Sequence, residues 1–229
     1  VGVAALIAAA RAAAKRQLSE SEAKQFLGAA GLAVPREALA TSATEAAAAA
    51  VKIGFPVVLK IVSPDIVHKS DAAGVRVGLA DARAVREAYR TMMDSVRRGH
   101  PGAALRGVLV QEMVEDGLEV IVGVANRPPF GPVVAFGLGG VFVEALRDVT
   151  FRLAPVDEVD AAEMLDEIRG AAVLRGFRGQ PAADRAALAR IITALSRLAV
   201  EHADEIEALD VNPLSVRGDR VVALDARVT

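Results

Sequence analysis

The stretch Val108-Leu-Val-Gln-Glu-Met-Val-Glu-Asp-Gly-Leu-Glu-Val-Ile-Val-Gly-Val124 decides the fold. It begins with a β-branched apolar run over 108–113 and continues, after the short turn Glu115-Asp-Gly117, with the alternating pattern Leu118 to Val124. Neighbouring strands joined by turns of hairpin length argue for antiparallel order, because a parallel partner needs a crossover of a dozen residues or more. The same logic applies upstream, where Val57 to Val62 reads as a buried strand and Val75 to Leu79 as its returning neighbour. The chain is therefore read as mixed or antiparallel α+β lobes rather than a doubly wound parallel sheet. A crossing between two lobes is expected at the turn that separates these two strands.

Working outward, Ser19 with Glu22 and Ser42 with Glu45 form capping boxes that open helices ending at Gly31 and Gly54. Asp81 caps a charged amphipathic helix to Arg98. A strand over Phe130 to Val143, broken by Gly137, Gly139 and Gly140, precedes helices over 160–169 and 184–203. The tail reads as two strands, 206–214 and 220–224, around Gly218-Asp219. The expected domains are a helix or linker from a longer chain over 1–17, a first lobe over 18–114 and a second over 115–229.

Composition narrows the function. The 229 residues are 53% hydrophobic and 24% charged, enough apolar surface for a packed core. Net charge is -2, with 27 basic and 29 acidic residues interspersed, which argues against nucleic acid as a partner. Aromatic residues are only 3%, too few for base-stacking platforms. No apolar run reaches the 18 or so residues of a membrane span. The absence of cysteine excludes disulfides and thiolate chemistry and points to the cytoplasm. Neither G-x-G-x-x-G opening a helix nor G-x-x-x-x-G-K-[ST] is present, so a nucleotide needs another cradle.

Three residue sets supply one. Lys60 ends an apolar strand, and His68-Lys69-Ser70 follow on a polar loop closed by Gly74. Two ammonium groups, a hydroxyl and loop N–H groups suit a polyphosphate. A solvated turn is the plainer reading of that loop. Glu112, Met113 and Val114 offer exposed backbone for the edge of a purine, with Glu119 beyond the turn to accept from ribose hydroxyls; a core strand with a hairpin charge is the alternative. Asp210 and Asn212, two apart on a strand, point the same way, and Asp225 ends the next strand. Two carboxylates and an amide oxygen suit Mg²⁺ bridging nucleotide phosphates, against a turn and a terminal surface charge. A fourth set, Phe136-Gly-Leu-Gly-Gly140 with Glu144, Arg147, Asp148 and Arg152, is weak alone, and His100 and His202 are assigned to no site.

In order, these phrases resemble the ATP-grasp domain of the NDP-forming acyl-CoA synthetases, the ADP-forming acetate-CoA ligase family related to succinyl-CoA synthetase β subunits. The carriers are Phe55-Pro-Val-Val-Leu-Lys60, Ser63-Pro-Asp-Ile-Val-His68-Lys-Ser-Asp71, Phe136-Gly-Leu-Gly-Gly140-Val-Phe-Val-Glu144, Asp148-Val-Thr-Phe-Arg152 and Asp210-Val-Asn-Pro-Leu214. One departure is Ala73-Gly74, where the family often has two glycines. The resemblance implies two α+β lobes clasping ATP or ADP, with Lys60 on the phosphates and the loop 68–74 covering them. It assigns adenine to Glu112–Val114, ribose to Glu119 and Mg²⁺ to Asp210, Asn212 and Asp225. It makes His68 the acceptor of a phosphoryl group from a CoA-binding α-type subunit or fused domain that carries its own phosphohistidine, with Lys69 screening the transfer. No stretch resembles that CoA-binding part, so the synthetase is expected to be incomplete without it. Two other classes share the fold: a regulatory nucleotide-binding module of a fused protein acetyltransferase, and a carboxylate-amine ligase. Retention of Lys60, His68, Asp210 and Asn212 favours catalysis over the first, and the His-Lys-Ser-Asp loop argues against the second.

Overall fold

The computed structural model describes residues 2–66, 69, 71–114, 117–139, 148–176 and 181–229. It divides into two compact units, one continuous, Pro35–Glu115, and one discontinuous, Val1–Val34 with Asp116–Thr229.

In the continuous unit the described strands are β1 (Glu37–Ala40), β2 (Val57–Val62), β3 (Val75–Leu79) and β4 (Gly107–Glu112), with helices α3 (Ala43–Ile53) and α4 (Ala82–Gly99). They form an antiparallel sheet in the order β1-β4-β2-β3. Alternate residues of each strand, Ala40, Val57, Leu59, Ile61, Val108 and Val110, pack with Ala46, Ala50, Val85, Met92 and Val96 of the two helices. Both helices therefore lie on one face, and Lys60, one residue out of step with that set, belongs to the other. Ser42 and Asp81 cap them as the sequence reading expects, each accepting from the backbone N–H three residues on.

In the discontinuous unit, α1 (Val3–Ala12) and α2 (Glu20–Ala29) join β5 (Leu118–Asn126), β6 (Pro132–Leu138), β7 (Val149–Leu153), α5 (Glu158–Glu167), α6 (Ala171–Leu174), α7 (Arg185–Glu201), β8 (Ala208–Arg217), β9 (Arg220–Ala223) and β10 (Ala226–Val228). The sheet runs β10-β8-β5-β6-β7, with β9 paired to β8, and every pairing is antiparallel. Its core draws Val120, Val122, Phe136, Leu209 and Val211 from the strands and Met164, Leu165, Leu188 and Ile192 from the helices.

Residues 18–34 depart from the expected division. Ala23, Phe26 and Leu27 are fully buried in the core of the discontinuous unit. The Leu18 N–H donates to the Val228 carbonyl at 3.0 Å and the Ala223 N–H to the Ala33 carbonyl at 2.9 Å. The apolar face of α2 has its complement in strands contributed by the end of the chain, and this outweighs proximity in sequence. Residues 1–17 likewise belong to this unit, with Ile7 of α1 buried in the same core. The expected strand over 130–143 also differs: it ends at Leu138, and residues 140–143 lie outside the described set. No described helix is long and apolar enough to cross a membrane.

Candidate nucleotide and metal site

Within the continuous unit, Lys60 sits on the helix-free face of β2, opposite Val75 on one side and Leu109 on the other. The loop that follows is tied down at both ends. Asp65 accepts from the Ala104 N–H at 2.7 Å, and Ile66 is buried in the core. At the far end the Gly74 N–H donates to the Lys69 carbonyl at 2.7 Å, and the Gly74 carbonyl accepts from the Ile61 N–H, also at 2.7 Å. A Cβ on Gly74 would lie 2.4 Å from Ile61 Cγ2 and 3.0 Å from the Lys69 carbonyl oxygen, so only glycine fits. Ala73, where a second glycine was noted as usual in the family, holds a left-handed φ of 54°. The Arg76 guanidinium donates to the Ala73 and Val75 carbonyls at 3.0 and 2.8 Å, fixing that corner. Lys69 is described; His68 and Ser70 lie outside the described residues.

At the end of β4 the Glu112 carboxylate accepts from Arg36, from Nε at 3.0 Å and from the backbone N–H at 3.3 Å. The Glu112 N–H donates back to the Arg36 carbonyl at 2.8 Å, and the Met113 N–H donates to the Pro56 carbonyl at 3.2 Å. The segment expected to read adenine is therefore pinned from two sides, with the Met113 donor already engaged.

The second set of site residues belongs to the discontinuous unit. Glu119 is exposed on β5, and its carbonyl accepts from the Gly139 N–H at 2.7 Å. Gly139 packs so closely that a Cβ would fall 3.0–3.1 Å from Glu119 backbone and side-chain atoms. On β8, Asp210 and Asn212 are exposed while Leu209 before them and Val211 between them are buried, so both polar side chains share one face. Asp225 lies in the link from β9 to β10. Its carbonyl accepts from the Asn212 N–H at 3.2 Å, and its own Oδ1 accepts from the Ala226 N–H at 2.8 Å. The structure thus brings Asp210, Asn212 and Asp225 together, as their strand positions predict.

The electrostatics agree with that closeness. Crowding by protein raises the Asp210 carboxyl above its ordinary range, the Asp225 charge raises it further, and the Arg227 guanidinium opposes both. Two carboxylates, with an amide oxygen beside them, form a hard oxygen donor set with the charge Mg²⁺ wants when phosphates and water complete its shell. Among the described residues no cluster of three or more His, Cys, Asp or Glu offers a rival metal site. The residues fit the ion.

Arg227 was missed from the sequence. It stands two residues after Asp225, and β10 pairs it directly with Asp210. Period-two alternation through 225–228 could have found it, once a last strand is recognised there. The fourth sequence set resolves into structural roles. Asp148, 6% exposed, accepts from the Arg169 and Gly170 N–H groups at 2.8 and 2.7 Å. Arg152 pairs with Glu167 and reaches Glu163 at 3.6 Å on α5. Gly140, Glu144 and Arg147 lie outside the described residues.

Comparison with known proteins identifies the lineage. A family model described as an ATP-grasp domain matches residues 9–229. The chain is 46% identical over 216 residues to the ADP-forming acetate–CoA ligase I subunit beta of Pyrococcus furiosus, covering 94% of this chain and 93% of that protein. It is 43% identical to the ADP-forming 4-hydroxybutyrate–CoA ligase of Nitrosopumilus maritimus, spanning 92% of this chain but 30% of that longer protein. Among solved structures, a dinucleotide forming acetyl-coenzyme A synthetase 1 from Ca. Korarchaeum cryptofilum, in complex with coenzyme A and Ca-AMPCP, superposes with a TM-score of 0.93 at 44% identity over 97% of each chain. A second structure of that protein, with coenzyme A and Mg-AMPPCP and its phosphohistidine segment pointing towards the nucleotide binding site, gives 0.86 at 40% identity over 99% of each. From Lys60 on its loop-bearing strand to the oxygen set of β8 and the β9–β10 link, and along nearly its whole length, this chain belongs to the ATP-grasp family of ADP-forming acetate–CoA ligase β subunits.

Proposed function

We propose that this chain is the nucleotide-binding half of an ADP-forming acyl-CoA synthetase, moving a phosphoryl group between ATP/ADP and phosphohistidine during acyl-CoA and acid interconversion. The observation that carries the reading is the 46% identity across 93% of a β subunit, with Lys60, His68, Asp210, Asn212 and Asp225 all present. The partner is a CoA-binding α-type subunit or fused domain that brings its own phosphohistidine, and the assembly is cytoplasmic.

Each residue has a physical role. Lys60 and Lys69 neutralise phosphate charge, Ser70 donates from its hydroxyl, and Gly74 keeps the loop backbone close. Glu112, Met113 and Val114 face the adenine edge. The Val114 N–H is the donor there, because that of Met113 is held by Pro56. Glu119 accepts from the ribose. Asp210, Asn212 and Asp225 would hold Mg²⁺, which supplies charge neutralisation at the phosphate oxygens. His68 is the relay: a neutral imidazole nitrogen takes the phosphoryl group as the partner's P–N bond breaks, then releases it to the terminal oxygen of ADP.

The test is His68→Ala assayed with the CoA-binding partner. The variant is expected to keep binding ATP and Mg²⁺ and to lose phosphoryl exchange. Full exchange in the variant would remove His68 from the relay.

A further inference from the structure

Arg227 offers a cation beside the carboxylate set without being consumed by it. On β10, Ala226 and Val228 are buried and Arg227 is exposed, so its side chain lies on the face that Asp210 occupies directly across the strand pair. Yet among the described residues Arg227 forms neither an ion pair nor a side-chain hydrogen bond. An arginine whose only purpose was to balance two acids would be expected to close on one of them in a forked pair, as Arg152 does with Glu167 on the same unit.

An unengaged guanidinium next to a cation-binding oxygen set has a specific chemical complement. A phosphate carried on a divalent ion presents non-bridging oxygens beyond the metal's reach, and the planar fork of arginine matches two of them at once. Lysine, a point charge on a flexible stem, matches only one. We propose that Arg227 is a nucleotide-phosphate ligand, gripping the phosphate oxygens of the metal-bound di- or triphosphate. This rests on the nucleotide reading above and adds to it a residue at the metal-bound phosphates.

The experiment is calorimetric titration of the wild-type chain, Arg227→Gln and Arg227→Lys with Mg-ADP, with AMP and with Mn²⁺ alone. The Gln variant is expected to bind Mg-ADP about tenfold more weakly, the loss of a charge-assisted hydrogen bond. AMP, lacking the second phosphate, is expected to bind all three proteins alike. Lys restores only part of the loss. Mn²⁺ alone binds the Gln variant as well as or better than wild type, because a like charge has gone. Unchanged Mg-ADP affinity in the Gln variant, or an equal loss for AMP and Mg-ADP, overturns the assignment while leaving the nucleotide reading intact. A wild-type chain that binds no Mg-ADP overturns the nucleotide reading and the assignment with it.

Discussion

The Gly74 carbonyl accepts from the Ile61 N–H at 2.7 Å, and the two residues are so close that a methyl group on Gly74 would overlap the Ile61 side chain. The end of the candidate phosphate loop is thereby sewn to the strand that carries Lys60. Gly74→Ala is expected to destabilise the protein by about 1–3 kcal/mol, because Ile61 is fully buried and, being β-branched, stiff at χ1. The neighbouring change has the opposite sign. Ala73→Gly relieves a left-handed φ and is expected to stabilise by about 0.5–1 kcal/mol after the extra freedom of the unfolded chain is subtracted. Chemical denaturation of both variants checks the pair.

The carboxylate set predicts a trade between stability and cation binding. The folded-state pKa of Asp210 is raised, so ionised Asp210 costs stability at neutral pH, and the cost is relieved as pH falls through that raised value. Asp225→Asn removes one of its causes while keeping an oxygen to accept from Ala226. The metal-free variant is expected to be more stable than wild type at pH 7 by up to about 1 kcal/mol, with the gain fading in acid. Added Mg²⁺ should raise the melting temperature of wild type and not of the variant. Thermal melts over pH and Mg²⁺ concentration read both.

Glu22 works in the other direction. Its carboxyl is lowered from 4.5 to about 2, chiefly by the Lys15 ammonium and then by the Ser19 backbone N–H of the capping box. Stability from this group is present in full above the unfolded value and is lost as pH falls toward 2. The site is partly solvent-exposed, so Glu22→Gln is expected to cost about 1 kcal/mol near neutrality. The difference from wild type should vanish at the acid end of a denaturation series.

Asp148 is buried with both carboxylate oxygens engaged. Replacing it by alanine strands the Arg169 and Gly170 N–H groups that its two oxygens satisfy. A loss of about 2–4 kcal/mol is expected. Asn, able to accept only one of the two bonds, should fall between. Equilibrium unfolding of the two variants measures the ladder.

The legible parts of the fold were those where pattern and propensity agree. β-branched runs at 57–62 and 108–112, capping residues Ser42 and Asp81, and the hairpin chemistry between them read directly as strands and helices. β1 did not, because Glu37-Ala-Leu-Ala40 is built from helix formers and is extended only by pairing with β4. β7 was hidden for another reason: Val149 to Leu153 has strand alternation, but its charges drew a chemical reading, and Arg152 turns out to serve α5. The placement of the candidate site was legible where polar residues recur at alternate positions of a strand, as at Asp210 and Asn212. Arg227 was not, since an arginine near the end of a chain looks like any surface charge until register sets it against Asp210. Nor was the placement of α2, because which β-strands cover a helix face is a question of tertiary complementarity that no local window contains.

The interleaving of the two units sets an order of assembly during synthesis. Residues 35–115 hold all the partners of their own sheet and can settle while the ribosome is still at work. Phe26 and Leu27 emerge earlier yet wait longer, because the strand whose Val228 carbonyl receives the Leu18 amide is made after the whole of residues 35–115. Until Val228 has been made the nascent polypeptide therefore carries a greasy helix without its seat, exposed to chaperones and proteases.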